Sequence, residues 1–342
     1  MQESNIMISV NADQQAFINL IGGAVLLHAP VGTGKTRALA ARAANAIQQG
    51  FDPDRILCLT FTNRAAQEMR DAIETHCGSD AERVHVRTFQ ALCSWTLRCE
   101  ASRIGLSTTF TVIDEVDAQE ALKTIMQRSS QMPCSPRELF FTIQGSLSKT
   151  PTRLLSSIPT AQLAQGRFPA DCFAELDMES HAIASDYEAK LASEHQVDFP
   201  NLVLFTRAML ANDPRIRDHW NHRFDLVQVD EMQDTHLTEY EVVRQLSKRT
   251  GNLTLVGDYD QTIYEWRGSM PDEIIAQFRQ DFPNGRDHAF KINYRTTQSL
   301  LDTAAHISAT YSEVPPPRLH EAAEAGTPVR VHFAEDSRQE AQ

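Results

Sequence analysis

The chain has 342 residues, room for roughly two domains at about 150 residues each. Its 42% hydrophobic and 23% charged residues are globular proportions, and a net charge of −13 excludes a protein coated in basic side chains. Nucleic acid is not excluded, because a local basic groove works inside an acidic whole: residues 142–170 hold Lys149, Arg153 and Arg167 with no acid, while residues 171–198 are rich in Asp and Glu against Lys190 alone.

The N-terminal MQESNIMISV has no basic segment followed by an apolar one, and no apolar run approaches about 18 residues. A soluble, cytoplasmic protein with no membrane partner is expected. Residues 24–28 are a short apolar run that ends in a glycine-containing loop, 29–34. Residues 35–49 have alanine-rich helical composition, and Gly50 is a plausible stop. A second buried strand is predicted at 56–61, a helix at 63–76 and a third strand at 84–89. This alternation is that of a parallel α/β sheet with helices on both faces. Residues 90–210 interrupt it with mostly helical composition, punctuated by Pro133, Pro136, Pro151, Pro159 and Pro169. The pattern resumes with a strand at 224–229, a helix near 238–248 and a strand at 253–256. A helical subdomain (90–210) inserted into one α/β core (1–89 and 211–269) is the simplest organisation. A new unit is expected from 270, with a strand at 289–292, a helix at 297–309, a proline turn at 315–317 and a strand at 329–333. The six cysteines form no Cys-x-x-Cys pair and no metal-ligand spacing, as for free thiols in a reducing compartment.

Three segments carry chemistry. APVGTGKT, Ala29 to Thr36, lies between a strand and a helix, as a phosphate-binding loop must. Ala29, Gly32, Thr33 and Gly34 bring backbone N–H groups around phosphate oxygens at a helix N-terminus. Lys35 suits the β- and γ-phosphates, and the Thr36 hydroxyl suits Mg²⁺. VDEMQDT, residues 229–235, puts two acids at the C-terminal end of an apolar strand, the edge at which open α/β sheets bind ligands. Asp230 suits Mg²⁺, and Glu231 suits a base for an attacking water. An acidic helix cap near Asp234 and Thr235 is the bland alternative. VGDYDQTIYEWRG, residues 256–268, breaks from a core strand and presents carboxylates, an amide, aromatics and a guanidinium within a few residues.

Taken in order, APVGTGKT, LTFTNRAAQEM (59–69), VDEMQDT and VGDYDQTIYEWRG resemble the motifs of the UvrD/Rep/PcrA group of superfamily 1 DNA helicases, and NYRTT (293–297) follows as a fifth. TFQALC (88–93) and Asp198-Phe199 fall where that group has related segments. The resemblance implies a RecA-like P-loop NTPase core with the start of a second RecA-like lobe, ATP and Mg²⁺ as cofactors, and single-stranded or partly duplex DNA as partner. It implies that Gln14 reads the adenine edge and that Arg37 and Tyr294 sandwich the base. It gives Lys35, Glu231, Gln261 and Arg295 roles at the reacting phosphate, with Thr36 and Asp230 at the metal. On the DNA side it implies base stacking on Phe61, Tyr264 and Trp266, and phosphate contacts from Thr60, Asn63 and Thr88. The bland alternative for Phe61 and Tyr264 is core packing. Met232, Tyr259 and Glu265 depart from the group's usual Phe, Asp and Gly, and Glu265 places a carboxylate beside Trp266.

Two later motifs of the group do not occur in these 342 residues, and Ser337 to Glu340 reads as a capping box that opens a further helix. The expectation is therefore the N-terminal part of a 3′-to-5′ ATP-dependent DNA helicase, with weak ATP binding, little turnover and no unwinding by this stretch alone. The alternative is a non-translocating ATP- and DNA-binding protein, or one subunit of a split helicase completed by a second polypeptide.

Overall fold

The computed structural model describes residues 10–129, 134–263, 268–310, 317–320 and 324–330. Helix α1 (Ala12–Asn19) starts on a capping box: Asn11 accepts from the Gln14 backbone N–H (2.8 Å), and the Gln14 side chain accepts from the Asn11 N–H (3.1 Å). Its end has no basic residue of its own. Instead Asn45, Arg42 and Asn252 donate to the carbonyls of Ile18, Leu20 and Ile21 (2.9, 2.8 and 2.8 Å), satisfying acceptors a helix end leaves open.

Strand and helix then alternate: β1 (Val25–His28), α2 (Lys35–Gln48), β2 (Ile56–Thr60), α3 (Asn63–Cys77) and β3 (His85–Thr88). Every residue of β2 is buried, because helices cover both faces of the sheet and no alternation is needed. The stretch between β3 and β6 runs through α4 (Phe89–Ile104), β4 (Thr111–Ile113), α5 (Glu115–Ser129), α6 (Pro136–Ser148), α7 (Thr152–Leu155), α8 (Thr160–Ala164), α9 (Met178–Ser193), β5 (Gln196–Asp198), α10 (Phe199–Asn212) and α11 (Pro214–Asn221). It is mainly helical, with a short parallel pair, β4 on β5, that the sequence pattern does not reveal. The core resumes with β6 (Leu226–Val229), α12 (Leu237–Ser247), β7 (Leu253–Gly257), α13 (Pro271–Asp281) and β8 (Arg286–Ala289), followed by β9 (Ile292–Asn293), α14 (Gln298–Ser308) and β10 (Arg318–Leu319).

Six strands form one parallel sheet in the order β3-β2-β6-β7-β1-β8. On one face, Phe17, Leu39 and Ile73 of α1, α2 and α3 pack against Val25, Cys58 and Val256. On the other, α4, α10 and α12 pack with Leu97, Leu204 and Val243, and this core runs on without a break into α6 and α9 at Ile143 and Tyr187. Among the described residues no helix is long and apolar enough to cross a membrane.

Past residue 270, where a new unit is expected, helix α13 contacts α12 and β8 pairs with β1 from Val25 opposite Arg286 to His28 opposite Ala289, so β8 is a strand of the first sheet. The strand expected at 289–292 is two pieces: Ala289 ends β8, while Ile292 starts β9, which pairs with β10. Strand β8 reads Arg-Asp-His-Ala, polar because it is an edge strand, and so carries no apolar run. Residues 329–330 of the last expected strand are not in a strand. Residues 331–333, Pro315, Pro316 and the Ser337–Glu340 capping box lie outside the described residues.

Candidate nucleotide and nucleic-acid sites

Strand β1 delivers the chain at Ala29 to a loop that turns twice in the left-handed region, at Gly32 (φ 74°) and Gly34 (φ 84°). Glycine is required there for more than backbone freedom. A Cβ on Gly32 would lie 2.8 Å from both the Asn293 Nδ2 and the Arg295 Cβ, and one on Gly34 would lie 3.0 Å from the Gln14 Nε2. Thr33 is fully buried, and its hydroxyl donates to the Pro30 carbonyl (2.6 Å), so its side chain holds the loop's shape. Helix α2 begins at Lys35, with its first-turn N–H groups facing the loop.

The acids of β6 meet this loop. The Thr36 hydroxyl donates to Asp230 Oδ2 (3.1 Å), and Lys35 Nζ lies 3.1 Å from Glu231 Oε2. Burial first, then the neighbouring Glu231, pushes the Asp230 carboxyl upward, opposed by Lys35 and Thr36. A buried carboxylate beside a hydroxyl is an oxygen donor set suited to a hard divalent cation. Glu231 itself sits at φ 53°, one of two non-glycine residues with positive φ among those described. Gln233 holds it there, donating from Nε2 to Glu231 Oε2 (2.7 Å) and accepting at Oε1 from the Asp258 N–H (3.1 Å).

Asp258 is a contact that sequence reasoning left without a role. Its Oδ2 accepts from the Val31 N–H of the phosphate loop (2.8 Å) and from the Gln261 side chain, tying the loop after β7 to the loop after β1. The departure at Tyr259 is accommodated by packing: its ring centroid lies 5.0 Å from that of His28, at the end of β1. Burial lowers the His28 pKa.

The segment after β9 closes over the loop. Asn293, fully buried, donates to the Val31 carbonyl (2.8 Å) and accepts at Oδ1 from the N–H groups of Arg295 (2.9 Å) and Thr296 (3.0 Å). The Tyr294 N–H donates to the Gly32 carbonyl (2.8 Å), and its hydroxyl accepts from Asn11 (2.7 Å). Tyr294 and Arg295 are exposed beside the loop, as is Arg37 on the first turn of α2. Gln14 donates to the Thr33 carbonyl (2.9 Å). Gln14, Lys35, Thr36, Asp230, Glu231, Gln261 and Tyr294 are thus joined through the loop by hydrogen bonds and ion pairs. Sequence reading found the segments of Asn293 and Asp258 but gave neither residue a role, because their partners lie far away in the chain.

The second candidate site is a cavity of about 580 Å³ between the sheet edge and helices α6 and α10. Phe61, Asn63 and Thr88 line it. Thr60 does not: it is fully buried, and its hydroxyl donates to the Thr62 carbonyl (3.1 Å). Thr62, which sequence reading passed over, lines the cavity instead. Thr62 and Thr88 are the N-caps of α3 and α4, accepting from Ala65 (3.1 Å) and Ala91 (3.2 Å). A hydroxyl that accepts in this way can still donate its own proton. Asp234, one 3₁₀ turn after Glu231, also lines this cavity while its charge interacts with Glu231 and Lys35. Tyr264, Glu265 and Trp266 lie outside the described residues. Among the described residues no cluster of His, Cys, Asp or Glu has the form of a metal cage.

The UvrD/REP helicase N-terminal domain family matches residues 10–283. The ATP-dependent DNA helicase PcrA of Bacillus subtilis (strain 168) is 32% identical over 320 residues, covering 92% of this chain and 42% of the relative. The ATP-dependent DNA helicase PcrA of Staphylococcus aureus (strain Mu50) is 30% identical over 340 residues, covering 97% of this chain and 44% of the relative. The chain therefore spans less than half the length of these relatives. The parallel sheet, the glycine loop facing two acids and this match together make the chain a member of the UvrD/REP helicase N-terminal domain family.

Proposed function

We propose that residues 1–342 bind ATP with Mg²⁺ and single-stranded DNA. In a protein of the relatives' length, they would supply the hydrolytic centre of a 3′-to-5′ DNA helicase. The observation that carries this reading is the bridge Val31–Asp258–Gln261, which joins the phosphate loop to the loop leading toward Tyr264 and Trp266. The glycine cradle, with a hydroxyl and a buried carboxylate side by side, fits a nucleotide and its metal. Bound there, Mg²⁺ would neutralise phosphate charge and polarise the bond that breaks.

The chain's own residues divide the remaining work. Lys35, paired with Glu231 when no phosphate is near, turns to the phosphates and leaves the Glu231 carboxylate as a base. Glu231, fixed by Gln233, takes the proton of the attacking water at Oε1 or Oε2. Thr36 and Asp230 hold the metal. Gln261 and Arg295 face charge developing on the transferred group, and Gln14, Arg37 and Tyr294 hold the adenine. Phe61 stacks a base, while Thr62, Asn63 and Thr88 donate to the DNA backbone. We assign Tyr264 and Trp266 to further stacking by resemblance alone.

The test is nucleotide binding and hydrolysis with and without single-stranded DNA. Glu231→Gln should keep ATP-Mg binding and lose about 100-fold or more of any turnover, whereas Lys35→Ala should lose binding. Unchanged nucleotide affinity in Lys35→Ala would sink the assignment.

A further inference from the structure

The edge strand of the sheet carries positive charge that the nucleotide site does not use. Among the described residues, strand β3 is the last strand on its side of the sheet. Arg70, exposed on α3, covers part of that edge by donating to the Val86 carbonyl (3.0 Å). Arg87 lies with its guanidinium 4.5 Å from the Trp95 ring centroid, and its buried Nε has no partner among the described residues. Arg223 donates to the Asp54 carbonyl (2.6 Å) and to His85 Nε2 (2.7 Å).

None of the three arginines forms an ion pair with a carboxylate among the described residues. The acid at hand, Asp54, is already bridged by Arg83 (2.6 Å). Burial, then Arg70 and Arg223, lowers the pKa of Arg87, so both neighbouring cations act on Arg87. His85 adds no positive charge at neutral pH, because burial, then Arg223 and Arg87, bring its pKa down to about 4. In a chain of net charge −13, three arginines with no carboxylate ion pair among the described residues, whose neighbouring acid Asp54 is held first by Arg83, can take up an anion.

The cluster is built on the elements that line the Phe61 cavity. Arg87 directly precedes Thr88, Arg70 is two turns along α3 from Asn63, and Trp95 is one turn along α4 from the cavity-lining Ala91. The indole of Trp95 is covered by protein: His85 stacks on it at 5.1 Å, and Arg87 lies over it. It therefore orients cations and offers no open face to a base. We infer that Arg70, Arg87 and Arg223 extend the cavity as a phosphate track, holding the backbone of single-stranded nucleic acid where it passes over the β3 edge. This rests on the DNA-binding reading above. Continuity with the cavity favours a nucleic-acid backbone over an acidic peptide.

The experiment compares a short oligonucleotide of about 8 nucleotides, enough for the cavity, with one of about 30. Affinities are measured across salt concentrations for the 342-residue chain, for Arg70→Gln/Arg87→Gln and for Arg70→Lys/Arg87→Lys. The Gln pair should weaken the long oligonucleotide roughly tenfold and flatten its log–log salt slope by about 0.7 per arginine, while the short one is unchanged. The Lys pair should keep most of the slope. Should the Gln pair fail to fold, the exposed Arg70→Gln alone should give about half the slope change. Equal losses for both lengths, or no loss for either, would overturn the inference. So would Arg-dependent binding of a polyglutamate peptide with no length effect on DNA. If the parent chain bound neither oligonucleotide, the DNA-binding reading would fall first and this track with it.

Discussion

Glu239 shows how one side chain couples stability to pH. It is buried on α12 against the Phe61 cavity and accepts from the His236 N–H (3.0 Å), while burial pushes its carboxyl up to about 7. An unfolded glutamate titrates near 4.3. Below that value both states hold the proton and nothing is lost. Between about 4.3 and about 7 only the folded state holds it, so this residue's contribution falls as pH rises through that window and stays low above it. Gln at this position accepts the same hydrogen bond without charge. Glu239→Gln should therefore be more stable than the parent by about 1–3 kcal/mol at pH 8, with the gain vanishing toward pH 4. Urea midpoints at the two pH values check this, and an equal gain at both would show that the burial argument is wrong. Glu231 carries the opposite kind of cost, a left-handed backbone that Gln233 and the Lys35 ion pair hold in place.

Among the elements, those that punctuate strand ends were the legible ones. Glycines at 32 and 34 and acids at 230 and 231 mark where apolar runs stop, and the sheet places both at its C-terminal edge. Side-chain direction at such an end is less readable. Thr60, the last residue of β2, turns into the core, and the chain then leaves strand geometry, so the cavity receives Thr62 instead. Asn293 was illegible for another reason: its partner, Val31, is set by long-range packing that no local pattern encodes. The short pair β4 and β5 and the polar β8 were missed because three- and four-residue edge segments bury too little to leave an apolar signature. The two threonine caps also carry stability. Thr62→Val and Thr88→Val should each cost about 1 kcal/mol by leaving a first-turn N–H of α3 or α4 unpaired, and Ser at either position should restore it. Urea unfolding of each pair would expose a packing effect instead, if Ser failed to rescue.

For the whole molecule, the sheet order decides where the structural unit ends. The family match stops at residue 283, yet β8 and the Asn293–Tyr294 contacts with the phosphate loop lie beyond it. A chain of residues 1–283 should thus unfold at lower urea than residues 1–310, and bind ATP-Mg more weakly even where both are folded. Equal midpoints and equal affinities would show that β8 and β9 are dispensable.

The position of β1 has a consequence for how the protein is made. Its neighbours in the sheet are β7 and β8, so Val25 cannot pair until Thr254 and Arg286 have been synthesised. At roughly 5–20 residues per second, this apolar strand waits tens of seconds on the ribosome without a partner. The phosphate loop hangs from its end, so the nucleotide site is among the last parts of the core to take shape. A nascent chain that stalls before residue 253 presents that strand to chaperones or to another copy of itself.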